Sequence, residues 1–113
     1  MPADLDRTLA ALAEPTRRGV VELLRRKPRR ASEIAAALQT TRPAMSRHLR
    51  ILRRAGLIAE QGLEHDARAR VYSLRPEPLT DLRGWLEEVE AFWGEQLRAF
   101  KARAERSPRR SRG

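Results

Sequence analysis

Between Thr41 and Gly56 the sequence writes a helix with two faces of opposite character. Projected at about 100° per residue, Met45, Leu49 and Leu52 fall together. Pro43, Ser46, Arg47, Arg50 and Arg54 fall on the other side. Thr41 can cap the start, Pro43 is tolerated in the first turn and Gly56 stops the helix. One face therefore has to be covered by the rest of the chain. The other offers a hydroxyl and three guanidinium groups with no acid among them.

The surrounding sequence supplies the cover. Leu5, Leu9 and Leu12 recur at helical spacing, so residues 3–13 read as a short amphipathic helix. Glu14-Pro15 breaks it and opens a second helix, whose buried side is Val20, Val21, Leu23 and Leu24. Arg25-Arg26-Lys27-Pro28 ends that helix. Ser32 is a plausible N-cap for a third, running to Leu38, and Gln39-Thr40 makes a tight turn into the helix described above. Two short helices joined in this way are a helix-turn-helix. Leu57 to Gln61 and Arg70 to Leu74 then read as the strands of a hairpin, with a polar tip at Gly62–Ala69 that includes His65, Asp66 and Arg68. Pro76 and Pro78 punctuate. A long helix from about Leu79 to Ala104 carries Leu82, Trp85, Leu86, Val89, Phe92, Trp93, Leu97 and Phe100 as an apolar stripe. The expected fold is mainly α with a small β-hairpin, in the order α-α-α-α-β-β-α. Residues 1–106 form one domain in this reading, and 107–113 a disordered basic tail without core residues.

Charge says where function lies. The 113 residues carry a formal charge of +9, and 22 of the 24 basic residues are arginine. Residues 41–58 hold five arginines and no acid, residues 76–100 sum to −4, and residues 101–113 to +5. A preference for Arg codons would raise the total but would not cluster it. Arginine makes forked hydrogen bonds to phosphate and guanine, so a polyanion is the expected partner. There is no cysteine, which excludes disulfides, thiolate metal sites and thiol nucleophiles. No apolar run approaches the ~20 residues of a membrane span, and the first residues lack a signal-peptide core. The expectation is a cytoplasmic, nucleoid-associated protein with no membrane partner and no cofactor. Phosphate loops, HExxH, G-x-S-x-G and carboxylate pairs beside a histidine are all missing, so no enzyme is expected.

On double-stranded DNA, the first residues of a recognition helix reach bases. Arg42, Ser46 and Arg47 are accordingly the base-reading candidates, with Pro43 on the same face. Arg50, Arg53 and Arg54 suit phosphates. Thr40 and Thr41 can donate to a phosphate at the helix N-terminus. A solvated basic face is the bland alternative, but the hairpin placed directly after it has the position of a wing. Arg68 and Arg70 would let that wing touch minor groove or backbone.

Three blocks carry a family resemblance: Ala11-Leu12-Ala13-Glu14-Pro15-Thr16-Arg17-Arg18, Ser46 through Ile58 with its Ser-Arg-His-Leu start and Ala-Gly-Leu end, and Arg70-Val71-Tyr72. Together they resemble the ArsR family of winged helix-turn-helix repressors over about residues 5–75. The last helix, with its Trp85-Leu86 and Phe92-Trp93 pairs, looks like a branch without metal sites, often found beside genes for SRPBCC domains. The resemblance implies a homodimer, joined through the first and last helices, that represses transcription from a palindromic operator. Metal sensors of the family use cysteines in the third helix or Asp, His and Glu sets in the last. Here the third helix has no thiol and the last has acids but no histidine. His48 and His65 read as a half-buried structural residue and a solvated wing residue. No metal is expected.

The residues also argue for the dimer independently of the resemblance. Both tryptophans and both phenylalanines of the chain lie on the terminal helix, which a closed winged helix has little need of. A symmetric partner would cover it, aided by Leu5 and Leu9. Two-fold symmetry would set the recognition helices ~34 Å apart and call for an inverted-repeat site. The alternatives are an interaction module on the same fold and a non-specific DNA-coating protein, which the Arg109-Arg110-Ser111-Arg112 tail would suit. Nothing in the sequence identifies an effector.

Overall fold

The computed structural model describes residues 3–63 and 66–106, with the side chains of residue 3 and of residues 63–69 excepted. The elements run α1 (Ala3–Leu12), α2 (Pro15–Leu24), β1 (Arg29–Arg30), α3 (Ala31–Ala37), α4 (Arg42–Arg54), β2 (Ile58–Leu63), β3 (Asp66–Leu74) and α5 (Glu77–Arg106). Two compact units result, residues 1–82 and the chain from Arg83 onward. His65 and the segment 107–113 lie outside the described residues, so the disordered-tail expectation does too.

In the first unit one apolar cluster joins every element but β1. Val20 and Leu24 of α2, Ile34 of α3, Met45, Leu49 and Leu52 of α4, and Leu57, Ile58 and Tyr72 of the hairpin are all buried. Each comes from the apolar side of a locally periodic segment, so helix periodicity and core position agree. Burying a side chain of this size contributes roughly 1.5–3 kcal/mol. The three side chains of α4 that point inward thus hold the helix to its support.

Helix ends are fixed by chemistry that can be named. Glu14 caps α2, its carboxylate accepting from the backbone N–H of Thr16 and of Arg17, and Pro15 fills the first turn. Thr41 caps α4 by accepting from the Ala44 N–H at 3.3 Å. Both α3 and α4 end in the same way. Thr40 N–H returns to Ala35 O and Gln39 N–H to Ala36 O, while Leu57 N–H returns to Leu52 O and Gly56 N–H to Arg53 O. This double return needs a left-handed residue, and Gln39 (φ 53°) and Gly56 (φ 76°) provide it. The tight turn between α3 and α4 is therefore a helix C-cap running straight into a helix N-cap.

Four expectations need correction. Ser32 does not cap α3; it lies inside the helix, whose cap is Arg30, with the Arg30 N–H donating to Glu33 Oε1 at 2.8 Å. A third strand, β1, was not expected. It pairs antiparallel with β3, Arg29 opposite Tyr72 and Arg30 opposite Val71, giving the order β1-β3-β2. Backbone pairing also extends the hairpin well into the polar tip, to Leu63 and from Asp66, past an irregularity between Gln61 and Leu63. Ladder hydrogen bonds are indifferent to side-chain polarity, so composition alone shortened the strands. Finally, α5 starts at Glu77 and runs 30 residues, with Pro78 inside its first turn rather than before it.

Candidate nucleic-acid interface

Helix α4 presents the side chains its periodicity promised. Arg42, Pro43, Ser46, Arg47, Arg50, Arg53 and Arg54 are exposed, and Met45, Leu49 and Leu52 are buried beneath them. Among the described residues Arg42, Arg47, Arg50 and Arg54 enter no salt bridge. Ser46 and Arg47 sit in the first half of the helix. Arg50, Arg53 and Arg54 line one cleft toward its C-terminal end. That arrangement offers forked donors to base edges at one end and to phosphates at the other.

Two of the expected phosphate ligands are engaged elsewhere. Arg53 Nη1 lies 3.1 Å from Glu60 Oε1, and Arg70 Nη1 donates to Glu60 Oε2 at 2.9 Å. Tyr72 OH donates to the same oxygen at 3.0 Å. Glu60 faces Tyr72 directly across β2 and β3, which places Arg70 on the same side. Its side chain is only 12% exposed, so an ionised carboxylate there demands compensation. The hydrogen bond from Arg70 holds the Glu60 carboxyl below its ordinary range against the opposing effect of burial, aided by Tyr72 and Arg53. Burial first, then Glu60, pushes the Tyr72 phenol up. Arg53 and Arg70 therefore tie the recognition helix to the wing through one acid. The sequence reading missed Glu60. The signal available was its place as the first acid after five arginines.

The N-terminal threonines divide their roles. Thr40 Oγ1, the hydroxyl expected to meet a phosphate, donates within the turn to Leu38 O at 3.2 Å. Thr41 accepts with its hydroxyl oxygen and keeps the proton. Arg68 lies in β3, but its side chain is outside the described residues.

The residues expected at a subunit interface fall into two groups. On α5, Leu86, Val89 and Leu97 are exposed, as are Phe92 at 62%, Trp93 at 61% and Phe100 at 63%. Leu82 and Trp85 are half-buried, and no residue of this helix is buried. Leu9 is also half-buried, whereas Leu5 is only 5% exposed and has little surface left for a partner. Periodicity put Leu5 and Leu9 on one face of α1 and could not say that the protomer itself covers the first of them.

Among the described residues no three His, Asp or Glu side chains converge on a point that could hold a metal ion. Among the described residues no helix is long and apolar enough to cross a membrane.

A cationic helix set on a helix-turn-helix and followed by an antiparallel hairpin defines a winged helix-turn-helix domain, a DNA-binding class. Comparison with known proteins agrees. Residues 14–60 match the family described as "Bacterial regulatory protein, arsR family". The chain is 37% identical over 95 residues to the HTH-type transcriptional regulator Rv2034 of Mycobacterium tuberculosis, spanning 84% of this chain and 83% of that one. It is 29% identical over 82 residues to the transcriptional repressor SdpR of Bacillus subtilis, spanning 73% and 88%. Its structure resembles an ArsR-like transcriptional regulator from Rhodococcus sp. RHA1, with a TM-score of 0.81 and 30% identity over 91% of this chain and 92% of that one. The chain belongs to the ArsR family of bacterial transcriptional regulators.

Proposed function

We propose that this regulator is a homodimeric repressor that binds an inverted-repeat operator in the cytoplasm and responds to no metal. One observation carries the DNA reading. The exposed face of α4 holds Ser46, Arg47, Arg50 and Arg54 with no acid, while its opposite face is locked into the core. In this reading Arg42, Ser46 and Arg47 read bases, and Arg50, Arg54 and the proton of Thr41 hold phosphates. Pro43 gives the helix its stiff first turn at the groove, and Arg68 of the wing adds a contact to the backbone. Arg53 and Arg70 act indirectly, by fixing the wing to the helix.

The dimer reading is supported by the aromatic stripe of α5, from Leu82 and Trp85 through Leu86, Val89, Phe92 and Trp93 to Leu97 and Phe100. A soluble chain rarely leaves such a surface uncovered. Leu9 of α1 extends it. Repression is supported by the likeness to SdpR, which is itself a repressor. Metal independence is supported by the donor set, which lacks thiols altogether.

The test is fluorescence anisotropy on DNA from upstream of the protein's own gene against scrambled DNA, from about 50 to about 300 mM salt. A preference of ~10³ or more with two chains per site is the expected result. Equal binding to both DNAs that vanishes with salt would overturn the repressor reading in favour of a DNA-coating protein or an interaction module. Within the specific complex, Arg47→Ala and Ser46→Ala should each weaken operator binding by roughly 1–3 kcal/mol and relax base preference. Arg50→Ala should weaken all DNA alike and lower the salt slope by about 1.

A further inference from the structure

Glu14, Arg17 and His48 belong to the sequence blocks that carry the family resemblance, yet none of them is among the proposed DNA contacts. The structure brings them together from α2, α4 and the corner between α1 and α2. Arg17 Nε donates to Ala11 O at 2.8 Å and Nη2 to Ala10 O at 3.4 Å, so the guanidinium closes the C-terminus of α1. Its remaining arm, Nη1, lies 3.3 Å from His48 Nδ1 on α4. His48 Nε2 lies 3.5 Å from Glu14 Oε2, while Glu14 Oε1 caps α2. The imidazole is mostly covered, with 18% of its side chain exposed.

Hydrogen-bond chemistry fixes how the ring must be used. Arginine can only donate, so His48 Nδ1 must be the acceptor. The ring proton then sits on Nε2 and points at the Glu14 carboxylate. A neutral imidazole satisfies both neighbours at once. Burial pushes the Glu14 carboxyl up, but the amides of Arg17 and Thr16, with the charge that His48 carries when protonated and the Arg17 charge, outweigh it and keep the acceptor ionised. Each group thus specifies the state of the next.

We propose that Glu14 and Arg17 are positioning residues that hold the recognition helix through His48, so that the position of α1 is transmitted to the base-reading residues Ser46 and Arg47 beside it. The proposal rests on the DNA-binding reading above. It gives α1 a second role: Arg17 grips its last carbonyls with one side of the guanidinium and the recognition helix with the other. A shift of α1 that draws Arg17 away leaves His48 without its donor and frees α4 to turn about its buried side.

Two substitutions of similar size separate positioning from packing. His48→Gln keeps one donor and one acceptor, and His48→Met keeps volume but neither. His48→Gln is expected to bind operator within about 3-fold of the parent. His48→Met is expected to lose about 10-fold or more on operator while keeping its affinity for scrambled DNA and an unchanged melting temperature. Equal operator preference in His48→Met and the parent would overturn the proposal, as would a ring proton on Nδ1 in nitrogen-15 spectra of the free protein. The spectra also separate the two readings. If the parent shows no operator preference, the DNA reading fails, and the clamp is judged on Arg17→Lys. That change on α2 must move the amide resonances of Arg47, His48 and Leu49 on α4; if it leaves them in place, the clamp is overturned.

Discussion

Glu60 gathers more side-chain partners than any arginine of α4. Three donors from two elements converge on its nearly buried carboxylate, and removing the charge leaves those donors facing each other. Glu60→Gln should cost about 1–3 kcal/mol of stability, because a charge-assisted set is replaced by a neutral one. The pH dependence follows from the direction of the shift. The folded carboxyl titrates below its ordinary value of about 4.5, so its contribution is complete above that pH. As the pH falls through the lower, folded value the carboxyl takes up a proton and the contribution disappears. Urea melts of parent and Glu60→Gln should therefore differ by a constant amount near neutrality and converge below about pH 4.5. A difference that persisted unchanged in acid would mean that the side chain acts by shape alone.

At the scale of elements, two left-handed residues set where α3 and α4 stop. Gln39 adopts this conformation at a cost of about 1–2 kcal/mol that glycine would not incur. Glycine's extra freedom in the unfolded chain takes back about 0.5–1 kcal/mol. Gln39→Gly should thus gain roughly 0.5 kcal/mol, read as a higher melting temperature. Gly56→Ala should lose roughly 0.5 kcal/mol, the same balance with its sign reversed. The cost there is backbone strain, since the added Cβ would meet only Pro78 Cγ at an ordinary 3.7 Å.

These elements also show what a sequence can disclose. Helix α4 was legible because Met45, Leu49 and Leu52 keep a strict period, Thr41 and Pro43 start it, and Gly56 ends it. The exposed face with Ser46, Arg47, Arg50 and Arg54 followed from the same geometry. Strand β1 was illegible because two arginines carry no period, and their pairing is imposed by the free edge of β3. The Glu60 cluster and the His48 clamp depend on cross-strand register and on helix packing, which join residues 10 and 31 positions apart. The cap at Arg30 was missed because serine is the commoner cap, whereas here Glu33 reaches back to the preceding strand.

For the whole molecule, the proposed dimer makes the strongest demand. Trp93→Glu places a charge in the middle of the exposed stripe of α5. Sedimentation equilibrium should then report monomers, and operator affinity should fall by about 10²-fold or more as the second half-site stops assisting the first. The domain of residues 1–82 should keep its melting behaviour, because α5 contributes no buried residue. A Trp93→Glu protein that remained dimeric would move the interface elsewhere.

The division of α4 into a locked face and an exposed one bears on how such regulators diversify. Substitutions at exposed helix positions usually change stability by less than ~0.5 kcal/mol. Arg42, Ser46 and Arg47 can therefore be exchanged while Met45, Leu49 and Leu52 keep the helix seated. A duplicated gene can drift to a new DNA word through folded intermediates at every step. Change at His48 or Glu60 would instead disturb how the helix is held. If Arg42, Ser46 and Arg47 read bases as proposed, new addresses should evolve at these three positions while the mounting stays fixed.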